Sequence, residues 1–410
     1  MGNMIGSGVF LLPASLAPYR GLSIVGWIVS AAGSVCLALV FARLARLRPA
    51  SGGPYAFTRM AYGDFAGFLV AWGYWISTWA TNAALAVAFV GYLDPFIPSI
   101  VRSPPAAAAL AIVMIWLLTA VNCRGVLAAG RVQLATTILK VLPLVVIGIA
   151  GSLAFEPAHF GMANVEAGAV KGVLATTTLT LWAFLGLECA TVPAGSIENA
   201  SRTIPRATVI GTTLTAVIYL VSTIGVMSLL DPAALAQSTA PFADAARVLG
   251  GEGLARFVAL GAAISAFGAL NGWVLMVGQI PMAIAQDGLF PRPFARISSR
   301  GTPAIGMIIG AVFSTALVAM NYTRGLVELF TYIILLATLS NLIPYAFCSL
   351  AGFILRKRPD GLTWSSGIAV VSGLAFIYAM FAIIGAGADV VFAGFLLMMA
   401  GLPVYAWVSK

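Results

Sequence analysis

The chain is 410 residues long, 61% of them apolar and 9% charged, with a mean hydropathy of +1.01 and a formal net charge of +9. No soluble domain can bury that much apolar side chain, and spans of about 20 residues leave room for roughly a dozen bilayer crossings. Long continuous apolar runs exclude a transmembrane barrel, and four scattered cysteines (Cys36, Cys123, Cys189, Cys348) with the single histidine His159 leave no metal site, cofactor or disulfide framework to propose.

In chain order, the apolar segments place spans at 1–18, 23–45, 62–93, 106–122, 133–154, 172–196, 207–230, 254–285, 303–320, 326–355, 364–385 and 388–408. The first is short for a crossing. It opens GNMIGSGVFLLP, which lacks the basic leader of a secretory signal and carries a polar break. Basic residues test the alternation, because cytoplasmic loops carry an excess of Lys and Arg. One set of loops holds Arg43, Arg46, Arg48, Arg59, Arg124, Arg131, Arg202, Arg206, Arg292, Arg296, Arg300, Arg356, Lys357, Arg358 and Lys410, fifteen in all; the opposite set holds Arg20, Arg102, Lys171, Arg247, Arg256 and Arg324, six. This places the C-terminus in the cytoplasm of a multi-pass protein of the inner (plasma) membrane. It also accounts for the net charge, so no nucleic-acid partner is expected.

Few residues are ones that a passive apolar helix would not carry. Gly2, Gly6 and Gly8, around Asn3 and Ser7, interrupt the first span, and Gly186 in WAFLGLECA interrupts the sixth. A lone membrane glycine more often serves close packing. Two breaks five spans apart instead point to an inverted-repeat transporter whose first and sixth helices unwind at mid-membrane. Half-helix N-termini would favour a carboxylate and free carbonyls an ammonium, and an amino acid satisfies both. Lys140 and Glu188 lie inside spans, where a charge costs about 2.5 to 3.5 kcal/mol on the insertion scale. Glu188 either exchanges protons as conformations alternate or is a protonated carboxyl bonded to a neighbouring helix. Lys140 either cycles between neutral and charged forms or stays paired with backbone carbonyls.

The chain resembles the amino acid-polyamine-organocation transporters, and within them the basic amino acid/polyamine antiporter branch that includes arginine/agmatine exchangers. The likeness is carried in order by GNMIGSGVFLLPASLA, SGGPYAFTRMAYGDFAGF, YWISTWATNAALAV, TLTLWAFLGLECATVPAG, AGSIENASRTIPRAT, GQIPMAIAQDGLFP and IPYAF. It implies an all-α polytopic membrane protein with a LeuT-like five-plus-five inverted repeat and two extra helices. Residues 1–154 would be the first repeat, 172–355 the second and 364–408 the two C-terminal helices, often in a homodimer. Carried over by position, Ser7 and Gly8 would hold the substrate α-carboxylate, and Met4 with neighbouring carbonyls the α-amine. Trp182 and Trp273 would pack on the aliphatic stem or cationic end. Asn82 would meet the distal end, and Leu185 and Ala337 would complete the pocket. Tyr74, Glu188 and Tyr345 would serve gating and proton coupling. Lys140 departs from this branch and resembles lysines of the proton-coupled and cationic branches, where an ammonium takes the place of a sodium ion. Ser77, Thr78, Leu85, Ala337 and Asn341 also depart from the pocket of arginine exchangers.

The expected function is secondary active transport by alternating access, exchanging a basic amino acid (arginine-like) for its decarboxylated amine (agmatine-like). The alternative is a proton-coupled amino-acid permease using Lys140; a non-transporting scaffold ranks below both. Isolated intramembrane acids and bases give no nucleophile–base pair, so no enzyme is expected. The expected partners are a small amino acid or amine, protons and the lipid bilayer. Met1 falls directly before the unwound centre, so the first helix is expected to be truncated at its N-terminus, with a start assigned too late as the preferred explanation.

Overall fold

The computed structural model describes residues 1–161, 168–320, 326–355 and 366–408. Among them the regular elements are all helical: α1 (Gly8–Leu16), α2 (Leu22–Leu47), α3 (Pro54–Tyr62), α4 (Asp64–Gly91), α5 (Pro98–Val101), α6 (Pro104–Cys123), α7 (Val126–Leu153) and α8 (Ala169–Leu181). They continue with α9 (Ala200–Leu229), α10 (Pro232–Ala236), α11 (Pro241–Gln286), α12 (Ala304–Met320), α13 (Leu326–Leu355), α14 (Ser366–Gly385), α15 (Ala388–Met399) and α16 (Leu402–Val408). Among the described residues eight helices are long and apolar enough to cross a membrane. Of the basic residues weighed above, Arg324, Arg356, Lys357, Arg358 and Lys410 lie outside the described residues.

Departures from the expected spans have local causes. The first span is helical only from Gly8, because residues 1–7 form turns. The third is divided at Gly63, where φ 92° turns the chain between α3 and α4. The eighth reaches back to Pro241 across a non-helical joint at Gly250 and Gly251. The sixth is α-helical only to Leu181, and the last stops at Met399 and resumes at Leu402.

The helices are patterned for lipid. On α7, Leu134, Ile138, Leu142, Ile149 and Leu153 are exposed, while Thr136, Lys140, Pro143, Leu144 and Gly151 are buried. On α9, Ile210, Leu214 and Val217 face outward while Thr208, Thr212, Thr215, Tyr219 and Ser222 are inside. Apolar residues meet acyl chains at no cost, and polar ones find partners only within the bundle. Small residues bring α7 and α9 to backbone contact: a Cβ on Gly151 would lie 2.3 Å from Gly225 O, and one on Gly225 2.5 Å from Ile147 O.

Contacts join loops that the expected alternation puts at the same end. At the arginine-rich end Gly52 N–H donates to Val192 O (2.9 Å), and Arg59 pairs with Asp287 (2.8 Å) and Asp64 (2.7 Å). At the other end Ser23 Oγ donates to Leu16 O (2.7 Å), and His159 Nδ1 lies 2.9 Å from Met227 O.

Candidate functional site

The chain is unwound at two places, and the two meet. Before α1, Ile5 N–H closes a turn onto Met1 O (2.9 Å). After α8, a tight turn at Trp182–Phe184 leads to Leu185 in extended conformation and to Gly186 at φ 98°, a left-handed value that glycine adopts without strain. A Cβ on Gly8 would lie 1.7 Å from the Trp182 indole, and one on Gly186 would lie 3.1 Å from Asn3 Cβ and 3.2 Å from the Trp273 ring. The N-terminus of α1 therefore abuts the C-terminal end of α8 through Gly8 and Trp182. Opposite partial charges at adjoining helix ends suit a ligand carrying both a carboxylate and an ammonium.

Side chains hold the unwound carbonyls in place. Lys140 Nζ, fully buried on α7, donates to Gly2 O (2.6 Å) and to Ile5 O. Ser265 Oγ donates to Gly6 O (2.9 Å), Tyr92 OH to Ser7 O (2.8 Å) and Trp273 Nε1 to Asn3 O (3.3 Å). Tyr219 OH lies 2.8 Å from Met4 O and 3.1 Å from Ala183 O and shares its one proton between them, bridging the two breaks. The Met4 carbonyl expected to meet an α-amine thus already accepts one bond and keeps one lone pair for a ligand.

Glu188, Tyr74 and Tyr345, which the resemblance assigns to gating and proton coupling, form one buried cluster. Tyr74 OH donates to Glu188 Oε1 (2.6 Å), and Tyr345 OH donates to Glu188 Oε2. The cluster joins α4 and α13 to the break after α8, and Gly186 N–H reaches the Tyr345 hydroxyl at 3.4 Å. One carboxyl thereby holds three elements together, an arrangement that can open as a unit if the bonds are exchanged.

Ser7 and Asn82 are buried, and Ser7 Oγ and Asn82 Oδ1 have no hydrogen-bond partner among the described residues. Asn82 follows Ser77 and Thr78 on α4, whose hydroxyls donate to their own helix at Tyr74 O (2.7 Å) and Trp75 O (2.6 Å). Leu185, Ala337 and Trp273 are buried, whereas Trp182 is partly exposed. A cavity of about 260 Å³ beside the breaks is walled by residues including Met1, Asn3, Met4, Gly186, Cys189, Thr208 and Asn271, and it extends to Val126 and Ala207 near the arginine-rich end. Ser7, Gly8, Asn82 and Trp182 are not in its wall.

Sequence reading missed Tyr92, Tyr219, Ser265, Gln133 and Asn271. Each is a polar group within, or just past the end of, a mostly apolar helix. Such groups look like ordinary interhelical hydrogen-bonding residues until the chain opposite them is known to be unwound.

A family model described as amino acid permease matches residues 1–403. The cadaverine/lysine antiporter of Escherichia coli (strain K12) is 33% identical over 416 residues, covering 99% of this chain and 92% of that protein. The putrescine transporter PotE of Haemophilus influenzae is also 33% identical, covering 100% of this chain and 94% of that protein. A putative arginine/ornithine antiporter of Bacillus subtilis is 31% identical, covering 100% and 95%.

Proposed function

Because the chain belongs to the amino acid permease family of the amino acid-polyamine-organocation transporters, we propose that it exchanges a basic amino acid for an amine of the decarboxylated type. Arginine with agmatine and lysine with cadaverine are the pairs to test. The observation that carries this reading is the contact of the α1 N-terminus with the end of α8 at Gly8, next to Ser7, whose buried Oγ has no partner among the described residues. The N–H groups at Ser7 and Gly8 would take a carboxylate, and the Trp182 face would take the cationic end. A substrate without a carboxylate would keep the second contact and lose the first, so both members of such a pair could use one site.

Two breaks five spans apart, meeting at Gly8, Asn3 and Gly186, support reading residues 1–154 and 172–355 as inverted repeats, with 364–408 trailing. The fifteen basic residues on one set of loops support a cytoplasmic C-terminus in an inner membrane. Pairing into a homodimer is the assembly that the resemblance implies.

A second reading, proton-coupled uptake, is favoured by Lys140, whose buried ammonium donates to the neutral carbonyls of Gly2 and Ile5. The test of both is competition in proteoliposomes. Labelled arginine uptake should be driven by internal agmatine or cadaverine and inhibited by external arginine, lysine and ornithine. Uptake driven only by an imposed proton gradient, and lost in Lys140→Ala, would replace exchange with proton coupling.

A further inference from the structure

Four carboxamides run head to tail from α6 into the unwound segment before α1. Asn122 Nδ2 donates to Asn271 Oδ1 (3.0 Å), Asn271 Nδ2 to Gln133 Oε1 (3.1 Å), and Gln133 Nε2 to Asn3 Oδ1 (3.4 Å). Two backbone carbonyls fix the direction of the chain. Asn122 Nδ2 also donates to Leu118 O (2.9 Å) and Asn271 Nδ2 to Ala129 O (3.0 Å), and a carbonyl only accepts. Asn122 and Asn271 are fully buried, where an amide has no water to fall back on. Asn271 commits one amide hydrogen and its oxygen to neighbouring carboxamides and the other hydrogen to Ala129 O. Two residues further along α11, Trp273 Nε1 donates to Asn3 O, so Asn3 is held by side chain and backbone together.

We propose that this amide chain registers the unwound segment on α7 and α11, so that Asn122, Gln133 and Asn271 are positioning residues for substrate exchange and do not themselves touch substrate. The proposal rests on the exchanger reading. Two of the three bonds lie among α6, α11 and α7. The third and longest, Gln133 to Asn3, is the only one in the chain that crosses to the unwound segment. It is therefore the bond that parts when the segment moves against those helices. In the present conformation the cavity beside Asn3 extends toward the arginine-rich end. Weakening the chain favours the alternative state, because an equilibrium shifts by whatever one state loses.

Gln133→Met removes the donor to Asn3 while keeping side-chain length, and Gln133→Glu keeps an acceptor for Asn271 but removes the same donor. Exchange of labelled lysine against cadaverine is measured in membrane vesicles of both orientations. Both variants are expected to raise KM on the arginine-rich face about threefold to tenfold, the range of one net hydrogen bond, and to lower it on the opposite face. A fall in maximal rate with equal KM on both faces would mean a merely structural role and overturn the proposal, as would wild-type values throughout. Absence of exchange in the wild type would sink the exchanger reading instead. The amide chain is then tested without transport, by maleimide labelling of Cys189 in the cavity wall, with Cys36, Cys123 and Cys348 replaced by alanine. Gln133→Met should slow labelling at least threefold, and an unchanged rate overturns the proposal.

Discussion

Gly8→Ala tests the contact between the two breaks. The added Cβ would sit 1.7 Å from Cζ3 of Trp182, 2.3 Å from Cε3 and 2.9 Å from Cη2. Carbon atoms pack at about 3.5 to 4 Å, so the indole must withdraw by roughly 2 Å. The ring can swing on its side-chain torsions and is only partly buried, so the change falls on where the indole sits and leaves the fold intact. A cation against an indole face is worth about 0.5 to 2 kcal/mol, and losing that placement should weaken substrate binding roughly two- to thirtyfold. Gly6→Ala is the control, since a Cβ there would meet Ala269 Cβ and Leu85 Cδ2 at 3.4 Å and Met4 O at 4.0 Å, all ordinary contact distances. Michaelis constants for exchange in proteoliposomes read out both variants, and thermal unfolding in detergent verifies that each is folded. A folded Gly8→Ala protein with the wild-type KM would refute the placement of Trp182 at the site.

Trp182→Leu should abolish or severely weaken exchange while leaving the unfolding temperature nearly unchanged; a normal KM would remove the indole from the pocket. Tyr74→Phe and Tyr345→Phe each withdraw one hydrogen bond from the buried Glu188 carboxyl, at about 1 to 3 kcal/mol of stability. Their effects should be non-additive in a double-mutant cycle read by unfolding, because the two donors hold the two oxygens of one carboxyl group. Gly151→Ala drives a methyl into the backbone at Gly225 and should lower stability by about 1 to 3 kcal/mol, whereas Gly130→Ala, with open space around it, should be neutral. At the arginine-rich end, burial and then the hydrogen bond to Asp287 push the Tyr55 hydroxyl up. The folded protein therefore keeps this proton at a pH where the unfolded chain has lost it. Its contribution to stability is complete below pH ~10 and declines above it. Tyr55→Phe should flatten the loss of stability measured by unfolding between neutral and strongly alkaline pH.

How much could be read from the sequence depended on whether the information was local. Membrane class and helical architecture follow from the apolar runs, and the family follows from ordered motifs such as GNMIGSGVF and LWAFLGLECA. The match over residues 1–403 bears both out. The relatives are transporters, so the expectation that the chain is not an enzyme also holds. The breaks were legible because Gly8 follows Ser7, and Gly186 precedes Glu188 by two positions, within apolar runs. Their partners were not. Tyr219 lies 215 residues from Met4 and 36 from Ala183, and nothing in its own neighbourhood marks it as the group that joins them. The joining of Tyr74, Glu188 and Tyr345 was hidden for the same reason, since it arises from packing α4 and α13 against the break after α8. Lys140 stood out by the cost of its charge, but its acceptors became visible only once the segment before α1 was seen unwound.

The most direct test of the central claim compares labelled arginine and lysine uptake into empty liposomes with uptake into liposomes preloaded with agmatine or cadaverine, with no pH or voltage gradient. Exchange predicts rapid, saturable uptake into preloaded vesicles and little into empty ones. Equal uptake into both, or uptake that appears only when a proton gradient is imposed, would contradict it.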